Sequence, residues 1–221
     1  MNIVCLSFDD GTIYDLKFIE LLNKYGLKAT LNLNSELCDF VWYYGDRPIK
    51  RLDLSKVKEA YAGHEVASHS LTHPYFSSLT RDEAIRQVRD DIKNLEAIFD
   101  RQGMGFAFPF HDHTEENIQT IRDFVRPLYI RYSYLDYSGK HKDRYHIHIN
   151  ALYDDESIYD RLDEFGKNTE DSLFVIAGHS YEFEMKDDWC KIERLLSYLK
   201  ENENITVMTM GDAMEVLFSD K

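Results

Sequence analysis

The chain has 221 residues, 43% of them apolar, enough to bury one good core and with nothing to suggest a second. A formal charge of −14 argues against nucleic acid and anionic membranes as partners, because both would repel it over most of its surface. Three cysteines, Cys5, Cys38 and Cys190, are an odd number without metal-type spacing; Cys5 reads as a core thiol, and a reducing compartment fits best.

Met1 is followed by one residue and then an apolar run, which leaves no charged leader region, no separate hydrophobic segment and no cleavage site. No stretch approaches the ~18 apolar residues of a membrane span. The expected address is therefore cytoplasmic, with no signal peptide or transmembrane segment.

In chain order, Ile3 to Phe8 reads as a buried strand ended by Asp9-Asp10-Gly11. Asp15 to Tyr25 carries Leu16, Phe18, Ile19 and Leu22 at helical spacing and stops at Gly26. Leu27 to Leu33 is the second strand. Ser35 to Leu54 lacks clear periodicity, carries Trp42-Tyr43-Tyr44-Gly45, and is expected to be a loop over the site. Ser55 to Ala62 is a short helix, and Glu65 to Ala67 is a strand leading into His69.

A capping box at Thr80 and Glu83 starts a long helix with Ala84, Val88, Ile92, Leu95 and Phe99 on one face, closing at Gly103. Met104 to Phe110 is a strand, Thr114 to Val125 a helix, and Leu128 to Leu135 a strand. Tyr145 to Leu152 reads as a strand and Glu156 to Phe165 as its helix. Leu173 to Ala177 is a buried strand, Asp187 to Lys200 a helix, Ile205 to Met210 a last strand, and Gly211 to Phe218 a terminal helix.

About seven such repeats favour a single-domain α/β barrel over an open sheet. The chemically suggestive groups agree. Asp9 and Asp10, His69 and His73, Pro109 to His111, and His179 each follow a predicted strand, and strand ends converge on one face of a barrel.

Adjacent carboxylates at a strand mouth are costly to bury as charges unless a cation neutralises them. His69 and His73, at i and i+4, present two imidazoles on one face if the segment turns helically, with Pro74 limiting the turn. Asp10, His69 and His73 plus solvent make an open three-ligand metal site, and Asp9 beside them is a candidate general base. His179 could protonate a leaving amine.

Ser7-Phe8-Asp9-Asp10-Gly11 together with His69-Ser70-Leu71-Thr72-His73 resembles the first two motifs of the carbohydrate esterase family 4 polysaccharide deacetylases, the NodB-homology domain. The resemblance covers essentially all of 1–221 and looks like a divergent, non-secreted branch. It implies a distorted (β/α)7 barrel and a divalent metal, most often zinc, with cobalt or nickel as alternatives. It also implies a saccharide substrate that loses N-acetyl or O-acetyl groups. By match, Asp9 is the base, Asp10, His69 and His73 the ligands, and His179 the acid.

The third motif departs from the family. Phe106-Ala107-Phe108-Pro109-Phe110-His111 puts Ala107 where an Arg is usual. Phe110 still aligns, and its backbone N–H is a candidate oxyanion donor. Arg131, in the next strand, could reach the spot the missing Arg would fill. The fourth motif is not recognisable, with Asp136 a poor substitute, and the fifth lacks its Leu, so Tyr181 or Trp189 could wall the acetyl pocket. His111 and His113 read as solvated loop residues. The expected activity is metal-dependent deacetylation of N-acetylated sugars or oligosaccharides. The alternatives are a degenerate carbohydrate-binding domain, or a hydrolase of another amide or ester on the same fold. The oligomeric state is left open.

Overall fold

The first apolar run of the chain is the central strand of the molecule. In the computed structural model, which describes residues 1–110 and 112–218, it forms β1 (Asn2–Asp9), buried from Ile3 onward as a parallel strand covered on both faces must be. Along the chain follow α1 (Asp15–Tyr25), β2 (Thr30–Leu33), β3 (Val41–Tyr44), β4 (Arg47–Lys50), α2 (Leu54–Val57), β5 (Glu65–Ser68) and α3 (Arg81–Phe99). Then come β6 (Phe106–Ala107), α4 (Glu115–Phe124), β7 (Ile130–Leu135), β8 (Ile147–Ile149), β9 (Ala151–Leu152) and α5 (Ile158–Phe165). The chain finishes with β10 (Ser172–His179), α6 (Ser180–Met185), α7 (Trp189–Glu201), β11 (Thr206–Val207) and α8 (Met210–Leu217).

The large sheet runs β8-β7-β6-β5-β2-β1-β10-β9, all neighbours parallel, with β11 added to β1. β8 and β9 are one stretch of chain interrupted at Asn150. The first half pairs with β7 and the second with β10, so this stretch closes the sheet on itself. Asn150 makes the seam: its N–H donates to the Val175 carbonyl at 2.8 Å, and its side-chain oxygen accepts the Val175 N–H at 2.7 Å. The result is the distorted (β/α)7 barrel of the sequence reading, in a single α/β domain.

Helix ends follow local chemistry. The expected capping box starts α3, with Thr80 accepting from the Glu83 N–H and Glu83 reaching back to the Thr80 N–H. The buried face of α3 carries Ala84, Val88, Leu95 and Phe99 as expected, and Gln87 and Asp91 with them.

Several elements differ from expectation. The fourth strand shrinks from Met104–Phe110 to β6, because Pro109 has no N–H to donate and Phe110 is left-handed at φ +56°. The helix expected over Asp187–Lys200 begins at Trp189, while residues before it form a separate short helix, α6; Asp187, at φ +55°, separates the two. The last strand is only Thr206–Val207, because Thr209 already caps α8. The stretch Ser35–Leu54 is not all loop: it folds into the antiparallel hairpin β3–β4. No described helix is long and apolar enough to cross a membrane.

Candidate active site

The mouth of β1 presents two carboxylates in different settings. Asp9, still in β1, pairs in register with His179 on one side and Asn32 on the other. Asp10 leaves the strand at φ +89°, and Gly11 follows at φ +64°. A Cβ on Gly11 would lie 2.9 Å from a methyl of Leu33, so this turn needs glycine twice over. Both aspartates are buried.

The two histidines do not share a helical turn, contrary to the i, i+4 expectation. Their loop bends because Ser70 (φ +71°) and His73 (φ +54°) are left-handed, and the bend brings the two rings to 4.9 Å between centroids. Asn34 fixes the loop by donating to the carbonyls of His69 at 2.6 Å and Ser70 at 2.7 Å. From the other side, α3 holds it: Gln87 exchanges hydrogen bonds with Thr72, and Asp91 accepts from the Ser68 hydroxyl at 2.6 Å. Asp10, Ser70, His73 and Phe110 thus all occupy sparsely populated backbone conformations at one site, a concentration typical of functional constellations.

Asp10, His69 and His73 each offer one ligand atom, and the three lie within 4.8 Å of one another. His73 Nε2 is 3.4 Å and His69 Nε2 4.0 Å from Asp10 Oδ1. The Ala107 carbonyl accepts from His69 Nδ1 at 2.8 Å, which leaves Nε2 as the ligand atom. Burial pushes both histidines below their usual pKa, and for His69 the neighbouring His73 adds to the effect, so both are neutral and ready to ligate. Burial also opposes charge on Asp10, but its cationic neighbours, Arg51 first and then His179, hold the carboxyl below its usual value. One carboxylate and two neutral imidazoles converging on one point suit a divalent ion.

Asp9 is braced separately. Arg131, 1% exposed, donates from Nη2 to both carboxylate oxygens at 2.7 Å, and Asn32 donates to Oδ1 at 2.7 Å. Arg131 is the strand-register partner of Ala107, so it enters from the strand beside the one where the resemblance places an Arg.

His179 ends β10 and is one-third exposed on the cleft wall. Its Nε2 is 3.8 Å from Asp10 Oδ2, and its Nδ1 is 3.4 Å from Glu182 Oε2. Burial works against a charge on His179, but Glu182, Asp10 and Asp9 outweigh it and raise the pKa to about 9.

These groups line a cleft of about 660 Å³. Tyr181 lines it, edge-on to Trp42 of the hairpin at 5.5 Å. Phe110 lines it too, stacked on Tyr75 at 4.2 Å between ring centroids. Trp189 is a correction: it is not among the described cleft residues. It begins α7 and packs in the outer helical layer on Phe183, with Lys17 over its ring and its N–H on Glu184. Asp136 sits 3.8 Å from His148. His113 packs on Phe108 and Tyr132, and His111 lies outside the described residues.

Sequence reasoning missed Arg51, Asn32, Asn34 and Glu182. The Glu182 signal was its place three residues after His179; the other three act through strand register or the hairpin, which no local pattern marks.

The family model described as polysaccharide deacetylase matches residues 1–125. No curated protein matches the chain. Among solved structures, the Xyl-CE4 domain of a multidomain xylanase from the hindgut metagenome of Trinervitermes trinervoides aligns at 17% identity and TM-score 0.63, over 97% of this chain and 90% of that one. BA3943, a CE4 family pseudoenzyme from Bacillus anthracis, aligns at 17% identity and TM-score 0.62, over 96% and 65% of the two chains. The Bc1960 peptidoglycan N-acetylglucosamine deacetylase aligns at 17% identity and TM-score 0.60, over 97% and 88%. At such identities these likenesses speak for the fold alone.

Proposed function

Because the chain belongs to the polysaccharide deacetylase family, we propose that it is a metal-dependent hydrolase removing acetyl groups from N-acetylated sugars or oligosaccharides. The observation that carries this reading is the division of labour between two adjacent aspartates. Asp10 joins His69 and His73 in a ligand set, while Asp9 is held apart from it by Arg131 and Asn32.

A divalent ion in that set, zinc by the resemblance, supplies Lewis-acid activation of water and of the acyl carbonyl. Asp9 is the general base: its carboxylate takes the proton of the attacking water, and the Arg131 and Asn32 contacts fix the direction in which it does so. The backbone N–H of Phe110 is assigned to the developing oxyanion. His179, with Nδ1 turned to Glu182, gives a proton from Nε2 to the departing amine. Acetate and the free amino sugar leave.

Phe110, stacked on exposed Tyr75, and the Trp42–Tyr181 pair give the cleft an aromatic lining, which suits pyranose rings. The test is acetate release from N-acetylglucosamine oligomers by protein stripped with chelator and reloaded with zinc, cobalt or nickel. Metal-dependent release is expected. No release from protein that holds one stoichiometric ion would move the substrate to another amide or ester. No ion and no release would favour a carbohydrate-binding domain without turnover.

A further inference from the structure

The two neighbouring buried aspartates have cations of the protein's own beside them. Each is already paired with a buried guanidinium. Arg131 lies on Asp9, and Arg51 Nη2 donates to Asp10 Oδ1 at 2.8 Å. Each carboxylate therefore has a buried cationic partner within the protein before any ion arrives.

Arg51 is seated where it interferes most directly with metal binding. The oxygen it grips, Asp10 Oδ1, is the one that faces His73 Nε2 at 3.4 Å and His69 Nε2 at 4.0 Å. Its Nη1 also donates to the Asp10 carbonyl and to Asn34 Oδ1, and Asn34 in turn holds the His69–Ser70 carbonyls. One guanidinium therefore ties the ligand carboxylate to the ligand loop.

Nor can Arg51 easily swing aside. It is 5% exposed, and the Trp42 ring covers the guanidinium at 5.1 Å. Its backbone N–H is bound to the Phe40 carbonyl at 2.9 Å, and it bridges to Thr12 across the end of the hairpin.

We propose that Arg51 is a built-in cation that competes with the divalent ion for Asp10, weakening metal affinity while keeping the ligand set assembled when no ion is bound. This rests on the metal-centre reading given above. The physical ground is that a fixed positive charge on a ligand oxygen, away from solvent, repels a second cation and withdraws electron density from the donor. The consequence is a site that loads only at adequate metal supply and gives its ion up readily.

The experiment titrates zinc and cobalt calorimetrically into metal-free wild-type protein, Arg51→Gln, Arg51→Lys and His73→Ala, with melting temperatures recorded for each with and without metal. Gln keeps a donor for Asp10 and Asn34 but removes the charge, whereas Lys keeps the charge. Arg51→Gln is expected to bind one ion roughly tenfold or more tightly than wild type, with Arg51→Lys close to wild type. Metal should raise the melting temperature of Arg51→Gln more than that of the wild type. Arg51→Gln that folds and binds no tighter overturns the proposal and leaves the metal centre standing. If Arg51→Gln does not fold, Arg51→Lys decides through the hydrogen-bonding half of the argument: a folded Lys variant that binds at least tenfold tighter overturns it, and unchanged affinity supports it. Failure of every chain to bind, or binding that survives His73→Ala, overturns the proposal and the metal centre together.

Discussion

Ala107 and Arg131 are register partners on β6 and β7, and the Arg131 guanidinium reaches from there to both oxygens of Asp9. The charge that the resemblance assigns to position 107 is thus supplied from the adjacent strand at the same level of the barrel. Neighbouring strands lie about 4.8 Å apart, a step that a long side chain spans easily.

Arg131→Met keeps most of the side-chain volume but leaves Asp9 buried without its cation. Breaking a buried pair from one side costs about 3–5 kcal/mol, so urea unfolding should show a loss of that size. Turnover should fall as well. A loss below about 1 kcal/mol would mean that the pair does not support the fold.

Asp9→Asn should retain the metal, because position 9 is not in the ligand set. Turnover should drop roughly 10²- to 10⁴-fold, the range general-base catalysis supplies. The two readouts are metal stoichiometry and initial rate of acetate release; near-normal rates would remove Asp9 from the mechanism.

His73→Ala takes one of three ligands away. Elemental analysis after dialysis should find the variant without bound ion under conditions that leave wild type loaded. An unchanged metal content would refute His73 as a ligand.

Asp15, buried beneath the site, accepts from Tyr61 at 3.0 Å and from Ser180, and burial raises its pKa from 3.8 to about 7. The folded state therefore holds this proton more tightly than the unfolded chain does. Its contribution is most favourable below about pH 4 and declines as pH climbs to and past 7. Between pH 5 and pH 8 the wild type should lose about 2–3 kcal/mol more than Asp15→Asn in urea unfolding. Parallel pH profiles for the two proteins would contradict the raised pKa.

Much of the barrel and half of the site were legible because their signals are local. β1 is a continuous apolar run, Thr80 and Glu83 form a capping box four residues long, and Asp9, Asp10, His69 and His73 lie in two short motifs. The hairpin β3–β4 hid because Val41, Tyr43 and Tyr44 are exposed and its inward face amounts to little more than the Trp42–Ile49 pair, too short to impose a visible alternation. Arg51 hid with it. Of the two aromatics near the last motif, Tyr181 lines the cleft and Trp189 does not, because α6 stands between Trp189 and the motif; no local sequence signal tells the two apart.

β1 also has a history within the chain. It lies far ahead of β10 in the sequence, yet it pairs with it along its whole length, from Asn2↔Ser172 to Asp9↔His179. Until that late strand emerges, β1 has an open edge on that side, and such edges invite pairing with other chains. The last rung of the same ladder joins the proposed base to the proposed acid. The cover for that edge of β1 and the junction of these two residues therefore arrive in a single pairing event, and neither exists until residues 172–179 are available.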